Sequence, residues 1–146
     1  MAVVNDILAQ KGSRVVVTVA KGETVLRAAQ VMNEHRIGAL VVLEGDQIAG
    51  MFTERDVLRR VVGEERAPAA TRVEEVMTAE VACCTPGTSI DEARTVMKER
   101  RIRHLPVVDG DGRLRGLVSI GDLNAFESAS KEETIFWLNE YLYGRV

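Results

Sequence analysis

The sequence predicts an α/β (α+β) fold of two β-α-β-β-α units. They pack sheet to sheet about a pseudo-twofold axis, and a C-terminal amphipathic helix follows. Three observations predict it. First, the chain repeats itself: Gly22, Thr24, Ala28, Met32, Glu34 and Ile37 return 65 residues later as Gly87, Ser89, Ala93, Met97, Glu99 and Ile102. After one extra residue near Gly112 the offset becomes 66, pairing Ile48, Gly50, Thr53 and Asp56 with Leu114, Gly116, Ser119 and Asp122. A single insertion at a turn keeps both halves in phase, as in a duplicated unit. Second, within each half, short apolar runs alternate with a stretch of helical periodicity. Third, a unit of about 60 residues buries only about 60% of its unfolded surface, so two such units need to share a core.

The elements follow in order. Residues 4–10 read as a short helix or turn, and Arg14 to Val19 as a valine-rich strand. Gly22-Glu23-Thr24 is a turn that ends in a helix cap, with Thr24 as the capping oxygen. Val25, Ala28, Ala29 and Met32 recur at helical spacing, and Gly38 is expected to end the helix. Ala39 to Leu43 is a continuous apolar run suited to a strand buried on both faces. Glu44-Gly45-Asp46 turns the chain into a return strand, Gln47 to Phe52, and Thr53 caps a helix running to about Val62. Residues 1–63 thus form the first unit with its lead-in, and residues 64–72, mixed charge with Pro68, a linker. The second unit, 73–127, repeats the order. Its strand is Val81–Cys84, its turn Pro86-Gly87, and its helix Ser89–Arg100, opened by a capping box. Strands His104–Val108 and Arg113–Ser119 flank the turn Asp109–Gly112, and a helix spans Ile120–Phe126. The lead-ins match as well, Val4-Asn5-Asp6-Ile7-Leu8 against Val73-Glu74-Glu75-Val76-Met77. In residues 128–146, Ile135, Phe136, Leu138, Leu142 and Tyr143 recur at helical spacing, with Trp137 beside them; this is the final amphipathic helix.

Composition bounds the function. A net charge of -3 supplies no basic field for nucleic acid. No apolar run approaches the roughly 20 residues that span a bilayer, so no membrane partner is expected. The N-terminus lacks the basic start and apolar core of a signal peptide, and a cytoplasmic protein is expected. Cys83 and Cys84 are neighbours and have no zinc spacing; they read as two small buried strand residues. There is no nucleophile elbow, metal-binding helix motif or phosphate loop, so no catalytic residue and no metal ligand is assigned.

The chemistry concentrates in the repeated stretch Gly50-Met51-Phe52-Thr53-Glu54-Arg55-Asp56 and Gly116-Leu117-Val118-Ser119-Ile120-Gly121-Asp122. Each glycine permits close backbone approach at a strand. Thr53 and Ser119 stand where strand becomes helix, and their hydroxyls and the free amides beyond suit an anion or a sugar. Asp56 and Asp122, three residues on, can each accept two hydrogen bonds, as the 2′- and 3′-hydroxyls of a ribose require. The same residues also form a plain capping box; two copies facing one pseudosymmetric cleft favour the binding role. Arg55 opposes the helix dipole and has a phosphate or Glu54 as its natural partner; its counterpart is Gly121, so the two clefts are unequal and the Arg55 side suits phosphate. Arg103 and Lys21 are further phosphate candidates, whereas Arg101, Arg113 and Arg115 read as surface. Pro106 in a strand marks an edge or a ligand approach.

With GALVVLEGDQIAGMFTERD in the first half and RHLPVVDGDGRLRGLVSIGD in the second, the chain resembles tandem CBS domains, the regulatory pair named after cystathionine beta-synthase, over roughly residues 4–127. The resemblance implies a stand-alone pair, or Bateman module, needing no cofactor and binding an adenosine-containing ligand such as AMP, ADP, ATP, NAD or S-adenosylmethionine. It implies that Asp56 with Thr53, and Asp122 with Ser119, hold ribose and phosphate, that Arg55 or Arg103 meets phosphate, and that Gly38, Ala39, His104, Leu105 and Pro106 line the base pocket. It further implies a homodimer that signals to an unidentified target protein. An interaction module with vestigial clefts is the alternative, and a nucleotide-processing enzyme the weaker one.

Overall fold

The computed structural model describes residues 1–12, 16–129 and 131, and the expected C-terminal helix of 128–146 lies almost wholly outside that set. Helix α1 (Val4–Lys11) precedes strand β1 (Thr18–Ala20), helix α2 (Val25–His35) and the hairpin β2 (Ala39–Glu44) and β3 (Gln47–Thr53). Helix α3 (Glu54–Asp56) widens at once into a π-helical stretch, Val57–Val62, where an ordinary helix was expected. A 3-10 turn (Pro68–Ala70) leads to helix α4 (Val73–Val76), then α5 (Ile90–Arg100), β4 (His104–Val108) and β5 (Leu114–Ser119). Residues 120–129 are helical (α6).

The hydroxyl caps form as the sequence implies, but among the described residues the Glu92 half of the capping box expected at Ser89 does not form. Thr24 Oγ1 accepts from the Arg27 amide at 3.1 Å, and Ser89 Oγ from the Glu92 amide at 3.0 Å. The helix ends differ from expectation. Arg36 and Arg101, equivalent positions, take the left-handed conformation with φ of 54° and 55°, so Gly38 is not the residue that stops α2. Gly38 lies instead against the start of α3. Its carbonyl accepts from the Glu54 amide at 3.0 Å, and the Glu54 carboxylate carbon sits 3.0 Å from where a Cβ would project.

The first sheet runs β1-β2-β3, with β1 parallel and β3 antiparallel to β2; the second pairs β4 with β5. Both hairpins carry a bulge at the same repeat position, between Val42 and Leu43 and between Val107 and Val108. The expected strand Val81–Cys84 shrinks to one parallel bridge, Cys84 to Val107. Pro106 explains this. Its carbonyl accepts from the Cys84 amide at 2.9 Å, so its missing N–H lies on that same edge, where a second rung would form. Its counterpart Val41 has an N–H, and β1 pairs there over three residues. Cys84 is buried but Cys83 is exposed, so only one cysteine is the buried residue expected. Burial, with Cys83 beside it, pushes the Cys84 thiol up to about 11, which leaves it inert at neutral pH.

The two lead-in helices are exchanged. Val4 and Ile7 of α1 enter the core of the second half, with Ile90, Ala93, Met97, Leu105, Val107 and Val118. Val73 and Val76 of α4 enter the core of the first, with Val25, Ala28, Met32, Leu40 and Phe52. The docking bonds are equivalent pair by pair. Val4 and Asn5 amides donate to the Thr88 and Pro86 carbonyls at 2.8 and 2.9 Å, and Val73 and Glu74 amides to those of Glu23 and Lys21 at 2.8 and 3.0 Å. At about 1.5–3 kcal/mol for each fully buried aliphatic side chain, each crossing helix brings roughly 3–6 kcal/mol to the opposite core. A third cluster, Ala39, Val41 and Met51 with Leu114, Leu117 and Val81 around it, joins the two sheets face to face.

The repeated glycines make this crossing possible. A Cβ on Gly116 would lie 2.6 Å from Leu8 Cδ2, and one on Gly50 would lie 2.6 Å from the Thr78 carbonyl oxygen and 2.8 Å from Met77 Sδ. Leu8 and Met77 are equivalent lead-in residues, so one notch occurs twice. Gly50→Ala therefore forces backbone apart and should cost about 1–3 kcal/mol in urea unfolding, the usual scale of overpacking. Gly116→Ala meets only the far end of a leucine; it should cost less and become nearly neutral in a Leu8→Ala background. Equal costs for the two glycine variants would contradict this.

Candidate ligand cleft

Each motif forms the reciprocal capping box that its sequence allows. In the first half the Thr53 amide donates to Asp56 Oδ2 at 3.0 Å and the Asp56 amide to Thr53 Oγ1 at 3.3 Å. In the second the Ser119 amide donates to Asp122 Oδ2 at 2.8 Å and the Asp122 amide to Ser119 Oγ at 3.0 Å. The register brings Ala39 opposite Thr53 and His104 opposite Ser119, again equivalent positions.

Beyond the caps the copies diverge. Asp56 is sealed: its side chain is 7% exposed, Thr78 Oγ1 donates to Oδ1 at 3.5 Å, the Thr53 hydroxyl reaches Oδ2 at 3.3 Å, and Arg60 Nε lies 3.7 Å from Oδ1. The Asp122 side chain is 27% exposed and borders a cavity of about 310 Å³. Among the described residues no hydrogen bond reaches its Oδ1. The cause lies in the lead-ins. After α4 the chain turns extended, Thr78 exchanges backbone hydrogen bonds of 2.9 Å with Met51, and the hydroxyl covers Asp56. The equivalent stretch after Leu8 stays helical through Lys11, because Leu-Ala-Gln-Lys are strong helix formers and Thr78 is β-branched. A helix there leaves the space in front of Asp122 open.

The cavity lies between the halves. Val16, Val17, Ile37 and Ala39 of the first half form an apolar wall. The second half supplies His104, Arg115, Gly116, Leu117, Ser119 and Asp122, and α1 closes the end with Leu8, Lys11 and Gly12. Its size is at the lower end of small-molecule pockets. Lys11 Nζ donates to Asp122 Oδ2 at 3.0 Å and to the Leu117 carbonyl at 2.8 Å. Burial alone would push the Asp122 carboxyl up; the Ser119 amide, the Lys11 ammonium and the Ser119 hydroxyl outweigh it, and the group sits below its usual range. Burial, reinforced by Arg103, lowers His104 from its ordinary value. A second hollow of about 330 Å³ is lined by Ala2, Ile90 and Phe126 with the charged Asp91, Glu127 and Lys131, and neither motif aspartate lines it.

Of the residues singled out from sequence, Ser119, Asp122, Ala39 and His104 meet at this cavity, and Thr53 with Asp56 meet at the sealed site. Leu105 points into the second core and is fully buried, so it does not line the base pocket. Pro106 alternates to the other face of β4, is buried and pairs with Leu117. Gly38 packs on Glu54, as above. Arg55 is exposed beside the sealed copy, and among the described residues it makes no ion pair. The open cleft is therefore on the side away from Arg55, contrary to expectation. Arg103 is exposed and precedes His104, but it does not line the cavity. Lys21 lies at the hairpin end of the first sheet, the end opposite Thr53, where it pairs with Glu44 at 2.8 Å. Lys11 was not singled out; its signal was its place in the last turn of the lead-in before Gly12. Arg115, read as surface, is the bulge residue before Gly116 and reaches the cavity rim.

Two outcomes follow. Asp56→Ala leaves the half-buried Thr53 amide and Thr78 hydroxyl without their acceptor and should cost about 1–3 kcal/mol in urea unfolding, more than Asp122→Ala does. Because folding lowers the His104 proton affinity, the unfolded chain binds more protons between the folded value and the ordinary histidine value. Stability is therefore full above the ordinary range and falls as pH drops through it. Wild type should lose stability between about pH 8 and pH 5.5, and His104→Gln should lose less; an equal loss would refute the assignment.

A family model for the CBS domain matches the chain twice, over residues 4–63 and 73–127. The mitochondrial CBS domain-containing protein CBSX3 of Arabidopsis thaliana is 39% identical over 127 residues, covering 84% of this chain and 61% of its own length, so the chain spans under two thirds of that relative. A solved structure of a protein with CBS domains from Burkholderia ambifaria, provisionally described as a signal-transduction protein, superposes with a TM-score of 0.83 at 49% identity, covering 88% of this chain and 95% of that one. The CBS domain pair of protein MJ0100, solved with 5′-methylthioadenosine and S-adenosyl-L-methionine, superposes with a TM-score of 0.78 over 89% of this chain and 98% of its own; at 23% identity it shares the fold.

Proposed function

The chain belongs to the CBS-domain family and carries two such domains, and from this premise we propose that it is a regulatory binding module. It takes one adenosine-containing ligand, such as AMP, ADP, ATP or NAD, in the Asp122 cleft. The observation that carries this reading is the cavity itself: a partly exposed motif carboxylate at one end, an apolar wall at the other, and both halves of the chain contributing. The ligand in the fold-mate MJ0100 supports the adenosine class. In this reading the base packs on Val16, Val17, Ile37 and Ala39, and the ribose hydroxyls bond Asp122 Oδ1 and Oδ2. His104, held neutral by its surroundings, offers a donor or acceptor without a charge.

A ligand placed so touches both halves and α1 at once. It favours whichever relative tilt of the halves closes on it, and that population shift is the signal. A homodimer and a target protein, in the cytoplasm, complete the proposal. No helix of the described residues is long and apolar enough to cross a membrane. One observation favours an interaction module as second reading: Leu58 and Val62, 64% and 61% exposed, present an apolar edge on the π-helical stretch.

Calorimetric titration of the purified chain tests the first reading. One adenosine ligand per chain should bind, and Asp122→Ala should weaken it at least about tenfold, the worth of one charge-assisted hydrogen bond. Failure of AMP, ADP, ATP and NAD to bind at millimolar concentration would leave the interaction module standing alone.

A further inference from the structure

Lys11 occupies the acceptor that the proposed ribose needs. Its ammonium spends one hydrogen bond on Asp122 Oδ2 and one on the Leu117 carbonyl, and its side chain is 29% exposed. In the first half the cation near the motif carboxylate is Arg60, which comes from the π-helical stretch and not from the lead-in, and position 80, which corresponds to Lys11 in the lead-in repeat, is a glutamate. We infer that Lys11 is a specificity-determining residue: an internal occupant of the ribose subsite that restricts the cleft to anionic adenosine ligands.

The inference rests on the reading of the cleft as an adenosine site and deepens it. A ribose hydroxyl that bonds Asp122 competes with the ammonium for Oδ2. A neutral nucleoside wins that carboxylate but leaves Lys11 half-buried with a single carbonyl partner, which is costly for a charge. A nucleotide brings a replacement. Its phosphate hangs from C5′, a few bonds from the hydroxyls that Asp122 grips, and a flexible four-carbon stem lets the ammonium swing from carboxylate to phosphate. The exchange conserves ion pairing with a nucleotide and destroys it with a nucleoside or a thioether analogue. Arg115 at the rim adds positive charge in the same direction. Because Lys11 is in the last turn of α1 and Gly12 follows it with φ of 68°, its release acts at the point where the crossing helix joins the first half.

The test is the ratio of affinities for AMP and for two uncharged probes, adenosine and 5′-methylthioadenosine, measured by calorimetry on wild type, Lys11→Met, Lys11→Gln and Lys11→Arg. Wild type should prefer AMP to both probes by more than about tenfold. Lys11→Met should tighten the uncharged probes and weaken AMP, bringing the preference below about threefold. Lys11→Gln, which keeps a donor for the Leu117 carbonyl, should do the same, so a loss of packing in the methionine variant cannot mimic the result. Lys11→Arg should retain the preference. Binding with the preference unchanged in both neutral variants would overturn the role of Lys11 and leave the adenosine site standing. Binding of none of the three compounds to any variant would overturn both.

Discussion

Leu8 and Met77 each press against a glycine in the sheet of the opposite half, and the rest of the molecule depends on those two contacts. Neither sheet can bury its face with its own sequence unit, since one half has three strands and the other two with a single extra rung. The crossing helices complete each core with a valine and a second aliphatic, and they fit only because Gly50 and Gly116 leave a notch. A glycine inside a strand normally weakens it. Here that cost is offset by two interlocked cores, and the interlock makes the two repeats one cooperative body. Anything that shifts α1 is felt in the second half, and anything that shifts α4 is felt in the first.

The same device differentiates the copies. Four residues of α4 and eight of α1 begin alike, and the difference in length decides what covers each motif. Thr78 lies along β3 and converts Asp56 into a structural acceptor, with Arg60 closing the outer side. Lys11 approaches Asp122 from a helix end and leaves half the carboxylate to the cavity. A capping box is thus compatible with both roles, and the neighbouring chain selects between them. The polar chemistry of Thr53-Asp56 and Ser119-Asp122 is nearly identical within the motif; what separates them is accessibility.

Most of the fold was legible because it rested on periodicity and on the repeat. The hairpins, the caps at Thr24 and Ser89 and the paired motifs are local features with strong signals. Three things were not. The exchange of lead-ins is a long-range choice, and Val4-Ile7 pack equally well in pattern against either sheet. The loss of the strand at Val81–Cys84 follows from a proline in a different strand, so it is visible only once the pairing partner is known. The helix end at Arg36 rather than Gly38 shows a left-handed arginine where glycine would serve, while the glycine is reserved for close contact with Glu54. At the site, Asp122 and His104 were readable from motif position. Lys11 and the wall of Val16, Val17 and Ile37 were not, because a cleft between halves is lined by residues that are distant in sequence.

The extra charge at Arg55 shows why position in a motif is a weaker guide than what surrounds it. A cation in the first turn of a helix is mildly unfavourable, and a ligand phosphate would relieve it. Yet the carboxylate that such a ligand would grip is only 7% exposed, and two partners from the same chain already hold it. To bind there, a ribose would have to break the Thr78 and Arg60 contacts and expose a buried acid before making its own bonds. At Asp122 the corresponding obstacle is one lysine, partly exposed and able to follow the charge it loses. The duplicated chain therefore leaves the accessible motif carboxylate in the copy without the arginine, and holds the carboxylate of the other copy as a structural acceptor.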